Sequence, residues 1–338
     1  LVYTLSLHDA LPICFLVSRG REMARERKKH LVFNTVTNGT LLSAQTCRFL
    51  LDNDVRVIVS LDGDKELNDQ TKKYGKSHYD TVRALLQPFQ DELQPTIRST
   101  ISKANFRHLE RILDSFTEMS WPIAVFEEIG AGGDDSLCLT REDTPVLDEQ
   151  YERIFTRLVE ETGFFRPRLI YPFTQTLLQI AFPRKNHHRC SAGRRTLAVD
   201  TQGNIFPCHR MVGIPEQRVG SLNEPFDFSA LEPYYRADIN SKKPCSSCWA
   251  RYLCSGGCVR AAFEKHNDIT KPDGLLCAHT KKMLEKGLYY STRIGRLRLL
   301  AVLPNLLRSL RNSPGYYLKE SDWELLEKAE LGWWKYIR

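Results

Sequence analysis

The chain has 338 residues, 42% of them hydrophobic and 26% charged, with a formal net charge of +7. This is the composition of a soluble globular protein, long enough for one large core or two domains of ordinary size. No apolar run reaches the length of a transmembrane segment. The charge is too local for a nucleic-acid surface: between Lys281 and Arg311 stand eight basic residues and one acid, Glu285, and the remainder is close to neutral.

The first residues stand apart. Thr4 to Ile13 (TLSLHDALPI) resembles one reading frame of a sequencing-library adapter, no methionine opens the chain, and no basic stretch precedes the apolar run as in a signal peptide. Residues 1–14 are therefore read as a foreign segment joined to a chain cut off upstream. From Phe15 to His30 the sequence is basic and helix-tolerant. Leu31 to Val36 reads as a strand running into the turn pair Asn38-Gly39, and Ser43 caps a short helix with Ala44, Cys47, Leu50 and Leu51 on one face.

Val55 to Leu61 is a nearly continuous apolar, β-branched run, the pattern of a strand covered on both faces, and it stops at Asp62-Gly63. Tyr79, Val82, Leu85, Leu86 and Phe89 have helical spacing. A strand over Thr96–Ile101, a helix through Phe106, Leu109, Ile112, Leu113 and Phe116, a strand over Ile123–Phe126 and a helix through Tyr151, Ile154, Phe155, Leu158 and Val159 follow. Four alternations with short connections predict an α/β fold with a parallel sheet and outer helices. Sites in such folds gather at the C-terminal ends of the strands. Here those ends carry Thr37-Asn38-Gly39-Thr40, Ser60-Leu61-Asp62-Gly63 and Arg98-Ser99-Thr100, each of which alone also reads as an ordinary strand-ending turn.

Seven of the ten cysteines fall between Cys190 and Cys277. Cys190 is followed by Gly203 and Cys208 (C-x12-G-x4-C), then come Cys245-x2-Cys248-x5-Cys254-x3-Cys258 and, after a gap, Cys277. The turn Asp200-Thr201-Gln202-Gly203-Asn204 predicts a hairpin across which Cys190 and Cys208 face each other. An odd number in a long chain argues against a disulfide framework, and reduced cysteines place the chain in the cytoplasm. Two metal readings remain: a pair of structural zinc sites, or iron–sulfur clusters, which use gapped all-cysteine patterns of this kind.

This spacing resembles the SPASM extension of radical S-adenosylmethionine (SAM) enzymes that modify peptides and proteins. Thr-Asn-Gly-Thr-Leu-Leu and Ser-Leu-Asp-Gly likewise resemble the third and fourth strand ends of the radical SAM partial barrel, and the likeness covers about Phe15 to His279. It implies a partial (β/α)6 barrel over 15–180 that lacks its first two strands and holds strands 3–6. A SPASM domain with a hairpin and helices follows over 181–285, and a basic helical tail over 286–338. Two auxiliary 4Fe–4S clusters are implied, one held by Cys190, Cys208 and Cys258 and one by Cys245, Cys248, Cys254 and Cys277. Asn38, Ser60, Asp62 and Arg98 would bind SAM, the arginine pairing with its methionine carboxylate. The partners implied are a precursor peptide or protein substrate and an electron donor such as ferredoxin or flavodoxin.

The family's C-x3-C-x2-C motif, which holds a third, SAM-cleaving cluster, and its Gly-Gly-Glu-Pro-like turn are both missing. Cys14, Cys47 and Cys138 are too scattered to replace that motif, and Cys47 reads as core. The chain as written is accordingly expected to be a fragment that does not generate the radical. Three ligands leave one iron of the first cluster open to a peptide thiolate, or to His187, His188 or His209. Phe206-Pro207-Cys208-His209-Arg210, with Cys190-Ser191-Ala192-Gly193, resembles the thioether-forming branch. Sulfatase-maturing relatives carry an acid directly after this cysteine; here it is His209, the one candidate catalytic residue. The expected function is thioether cross-linking of a peptide. Sulfatase-type side-chain oxidation and a catalytically dead peptide- or metal-binding module are the alternatives.

Beyond Cys277, Ile294, Leu297, Leu300, Val302, Leu303, Leu306, Leu307 and Leu310 alternate with arginines. They read as a helix packing on the core or a partner in preference to a membrane surface, with a capping box at Ser321-Asp322-Trp323-Glu324 opening a last helix.

Overall fold

Parallel strand pairing builds the first of two units that are interleaved in sequence. One unit combines the chain up to Glu128 with Arg153–Gln175, and the other combines Ile129–Glu152 with Thr176–Ser291. The computed structural model describes residues 10–29, 31–72, 75–119, 123–128, 135–160, 169–181 and 185–294. The leucine stripe beyond Ile294 and the Ser321 capping box lie outside these residues.

In the first unit, β1 (Phe33–Thr37), β2 (Val55–Ser60), β3 (Thr96–Ile101), β4 (Ile123–Glu128) and β5 (Leu169–Tyr171) form one sheet in that order, every neighbouring pair parallel. β5 is not legible in the sequence, because three residues ending just before Pro172 carry no alternation. β2 buries Val55, Val57 and Val59 but leaves Arg56, Ile58 and Ser60 half-buried, so its second face is only partly covered.

The connections are helical: α1 (Ala10–Glu26), α2 (Ala44–Asp52), α3 (Lys65–Thr71), α4 (His78–Leu86), α5 (Gln90–Leu93), α6 (Leu109–Glu118), α7 (Thr144–Glu160) and α8 (Phe173–Ala181). α1 starts at Ala10, ahead of the Phe15 boundary expected from sequence; Pro12 is tolerated there because first-turn amides have no helical acceptor to lose. Ser43, Asp64 and Ser77 cap α2, α3 and α4 by accepting from Thr46, Leu67 and Asp80 amides at 3.1 Å each. α6 buries Leu109, Ile112, Leu113 and Phe116, the face its spacing predicts. Phe116, Phe126, Phe173 and Phe155 then stack in series, with ring centroids 6.4, 6.1 and 5.3 Å apart. Each such burial contributes about 1.5–3 kcal/mol, and the series ties α6, β4, α8 and α7 together.

The second unit has little regular structure. β6 (Ala198–Val199), β7 (Asn204–Phe206) and β8 (Gly220–Ser221) make a small antiparallel sheet, followed by α9 (Glu232–Arg236), α10 (Arg251–Cys254), α11 (Val259–His266) and α12 (Gly274–Ile294). Its core is Ala192, Ile205, Met211, Val219, Leu231, Tyr234 and Val259, with Cys190 and Cys208 packed against it. Thr144–Glu152, the first half of α7, belongs to this unit, and α12 is fastened to it: Lys286 Nζ lies 2.6 Å from Glu152 and 3.3 Å from Asp148, and Thr144 Oγ1 is 3.1 Å from His279 Nε2. Among the described residues no helix is long and apolar enough to cross a membrane.

Candidate functional site

In the second unit the seven cysteines are delivered by short turns. The β6–β7 hairpin closes as expected, with Asp200 accepting the amides of Gln202 and Asn204 at 2.9 and 2.8 Å. Before it, a tight turn sends the amides of Arg194, Arg195 and Thr196 to Ser191 O, and Gly193 N donates to Pro207 O at 2.8 Å. That bond carries Cys190 toward Cys208. Gly193 has φ +64°, and a Cβ there would sit 2.5 Å from the Tyr234 ring, so only glycine fits. Cys208 precedes the turn His209–Met211, and Cys258 precedes α11. The amides of Ala192 and Arg210 each point at a cysteine sulfur, Cys190 and Cys208 respectively, at 3.4 Å.

The other four cysteines come from a single-turn helix at Cys245–Ser247, from Cys248, from the end of α10, and from α12, where Asp273 accepts the Leu276 amide at 2.7 Å one residue before Cys277. Ser255, Gly256 and Gly257 all have positive φ (+59°, +93° and +74°). This left-handed run turns the chain sharply between Cys254 and Cys258.

Electrostatics sorts the thiols. Burial is the largest cause that raises the Cys190 and Cys208 thiols; beyond it, Cys258 raises both, and Cys190 raises Cys208 further. Burial likewise raises Cys245 and Cys277 first; Cys254 and Cys248 add to it at both, Cys277 adds to it at Cys245, and Asp273 adds to it at Cys277. Two groups emerge, Cys190/Cys208/Cys258 and Cys245/Cys248/Cys254/Cys277. Buried thiols that oppose one another's ionisation are stabilised as thiolates by the positive charge of a metal centre. Among the described residues, no three His, Cys, Asp or Glu side chains converge on a position for one ion. Groups of three and four cysteines are a donor set suited to thiolate-ligated metal centres, of which iron–sulfur clusters are one kind.

Of the remaining cysteines, Cys47 is fully buried on α2 and its thiol is raised by that burial, which is a core role. His209 Nδ1 stands 3.9 Å from Cys208 Sγ; His187 Nδ1 is 3.2 Å from Asn240 Nδ2, and burial lowers His188.

The first unit brings predicted SAM residues to one level of the sheet. Thr37 pairs with Val59, Ser60 with Arg98 and Thr100 with Glu127 in parallel register, so Asn38 and Ser60, at the ends of β1 and β2, lie level with Arg98 within β3. Asn38 Oδ1 accepts from the Thr40 amide and hydroxyl at 3.1 and 3.0 Å. Asp62 is 5% exposed and its carboxylate is engaged: Thr100 N and Thr71 Oγ1 donate to it at 2.9 and 3.1 Å, and Lys72 Nζ lies at 2.8 Å. Its amide donates to Asn68, whose own amide meets His78 Nδ1 at 2.9 Å, while His78 Nε2 is 2.9 Å from Asn38 O. Asp62 thus links the end of β2 to Thr100 on β3 and to the end of α3.

Arg98 is held by Glu127, with Nε and Nη2 at 2.8 and 2.5 Å from Oε2. Sequence reasoning missed Glu127, although its place at the end of β4 is the same signal that singled out Arg98. It also missed His78, which no spacing marks.

No family model matches the sequence. An uncharacterised protein of Archaeoglobus fulgidus is 27% identical over 262 residues, which are 75% of this chain and 62% of that protein. The cysteine-type anaerobic sulfatase-maturating enzyme of Clostridium novyi is 22% identical over 80% of this chain and 75% of its own length. Radical SAM cyclopropyl synthase TigE of Paramaledivibacter caminithermalis is 22% identical over 77% of this chain and 54% of its own.

Among solved structures, anSMEcpe with bound AdoMet superposes with a TM-score of 0.69 at 18% identity, covering 88% of this chain and 82% of that one. Streptococcus suis SuiB bound to precursor peptide SuiA superposes at 0.52 and 15% identity, covering 72% and 58%. The likeness establishes the fold: a five-stranded parallel α/β sheet resembling that of the radical SAM sulfatase-maturating enzymes. The chain spans 62% of the Archaeoglobus relative.

Proposed function

We propose that this chain is the SAM-binding sheet and auxiliary-cluster region of a radical SAM enzyme that modifies a peptide. The observation that supports this most is the seven-cysteine spacing in a chain whose relatives include a sulfatase-maturating enzyme and the radical SAM cyclopropyl synthase TigE. In this reading Cys245, Cys248, Cys254 and Cys277 hold one 4Fe–4S cluster completely, and Cys190, Cys208 and Cys258 hold the other with one iron left to a non-cysteine ligand. Bound clusters supply one-electron chemistry and a Lewis-acidic iron. The chain's own residues bury the cysteine sulfurs and orient them through the Ala192 and Arg210 amides; in this reading Arg98 meets the methionine carboxylate of SAM and Ser60 and Asp62 its nucleoside end, with Asn38 beside them.

Thioether formation is the specific reaction favoured by His209 in place of an acid after Cys208. The sulfatase-maturating relatives favour the alternative, side-chain oxidation. The anSMEcpe and SuiB structures with Kp18Cys peptide and precursor peptide SuiA support a peptide as the substrate class.

The test is electron paramagnetic resonance of the anaerobically reconstituted chain with a cysteine peptide and its serine analogue. An open iron predicts that the cysteine peptide alone shifts one cluster signal, in the parent and in His209→Ala alike. If His209→Ala alters the resting signal and the peptide has no effect on the parent, His209 closes the site and the thioether assignment fails.

A further inference from the structure

Lysine is almost never buried without a partner of opposite charge. Lys242 is 3% exposed. Its ammonium donates to Gly256 O at 3.3 Å, and the groups whose negative charge would favour it are the thiolate forms of Cys245, Cys190, Cys254 and Cys258. Those four belong to both cysteine groups. Burial pushes the ammonium down, and the thiols push it back up.

The backbone explains the position. Lys242 O accepts the Ser246 amide at 3.0 Å, at the start of the turn that presents Cys245. The side chain then runs along the loop between Cys254 and Cys258. A Cβ at Gly256 would lie 3.2 Å from Lys242 Cδ and 3.5 Å from Nζ, so the glycine is what lets the stem pass. Arg189 N donates to Ser255 O at 2.9 Å, which ties the same loop to the residue before Cys190. One buried cation is therefore fixed on the one loop whose two ends serve different groups.

We infer that Lys242 is a positioning residue shared by both cysteine groups, whose fixed charge raises the reduction potentials of the two clusters together. The inference rests on the cluster reading above. Thiolate-ligated clusters carry net negative charge and gain one more on reduction, so a nearby fixed cation favours the reduced form. A unit charge on the order of 10 Å away, at an effective dielectric constant of about 20, shifts the reduced-to-oxidised ratio by roughly tenfold.

The test is potentiometric titration of the anaerobically reconstituted full chain, followed by electron paramagnetic resonance, with iron and sulfide counted in each sample. Lys242→Met keeps the stem and removes the charge; Lys242→Arg keeps the charge. The expected result is that Lys242→Met loads both clusters and that, at a fixed poise, the reduced-to-oxidised ratio of both falls roughly tenfold, while Lys242→Arg stays near the parent. If Lys242→Met does not load but Lys242→Arg loads with parental potentials, the charge requirement also stands. Unchanged potentials in a loaded Lys242→Met, a shift in one cluster only, or failure of both variants to load would overturn it. A parent that takes up no iron would overturn the cluster reading itself, and this inference with it.

Discussion

Cys254 and Cys258 stand four residues apart in the chain, yet their sulfurs act on different groups: Cys254 on Cys245 and Cys277, Cys258 on Cys190 and Cys208. The left-handed run Ser255-Gly256-Gly257 separates them. Gly256→Ala should therefore destabilise this unit by about 1–2 kcal/mol, since an L-residue is forced into left-handed backbone beside the Lys242 stem. Urea unfolding of the anaerobic protein checks the magnitude, and iron content should fall in both groups at once.

Gly193 is the more severe case. A methyl group there would sit 2.5 Å from Tyr234 Cγ and 2.8 Å from Cδ2, on backbone of φ +64°. The Tyr234 ring is buried, which leaves it little room to turn toward water. Gly193→Ala should cost about 2–3 kcal/mol and reduce loading of the Cys190/Cys208/Cys258 group alone. Equal loss of iron from both groups would show that the turn does not act locally.

Much of this was legible in the sequence. The α6 stripe, the strand runs at Val55 and Thr96 and the seven-cysteine spacing each impose one physical requirement that a periodicity or a spacing displays directly. β5 was not legible, because a strand of three residues has no period to detect. Lys242 and Glu127 were not legible for a different reason: a lone lysine or glutamate reads as solvated surface until the fold shows what surrounds it. Asp62 was singled out by its place at a strand end, but the sequence could not show that its carboxylate faces Thr71, Lys72 and Thr100.

His78 sets a pH dependence for the first unit. Burial is the largest effect, and it lowers the imidazole below its ordinary 6.5; the bond to Asn38 O opposes this. The unfolded chain then takes up the proton more readily than the folded one. Stability contributed by neutral His78 is therefore full above 6.5 and is lost as pH falls from there toward the lowered folded value. Hydrogen exchange of α4 amides from about pH 7.5 to about pH 5.5 should show this loss in the parent. In His78→Gln the slope should be flatter, on a baseline lower by about 1–3 kcal/mol from the disturbed Asn38 and Asn68 contacts. An unchanged slope would remove His78 as its source.

The Arg98–Glu127 pair separates binding from stability. Its side chains are 31% and 34% exposed, so Glu127→Gln should change unfolding by no more than about 1 kcal/mol. If Arg98 pairs with the SAM carboxylate, Arg98→Lys should weaken SAM binding by about tenfold through loss of the planar two-point contact. Calorimetric titration of SAM measures it, and equal affinity in Arg98→Lys would move the carboxylate site elsewhere.

The partition of the cysteines is tested most directly by counting iron and acid-labile sulfide in the anaerobically reconstituted parent, Cys254→Ala and Cys258→Ala. Two 4Fe–4S clusters predict about eight irons and as many sulfides in the parent. Each variant should keep roughly half, with Cys254→Ala retaining the spectrum that Cys258→Ala loses. Near-stoichiometric zinc without sulfide, or the same residual cluster in both variants, would contradict the assignment of these neighbouring cysteines to separate clusters.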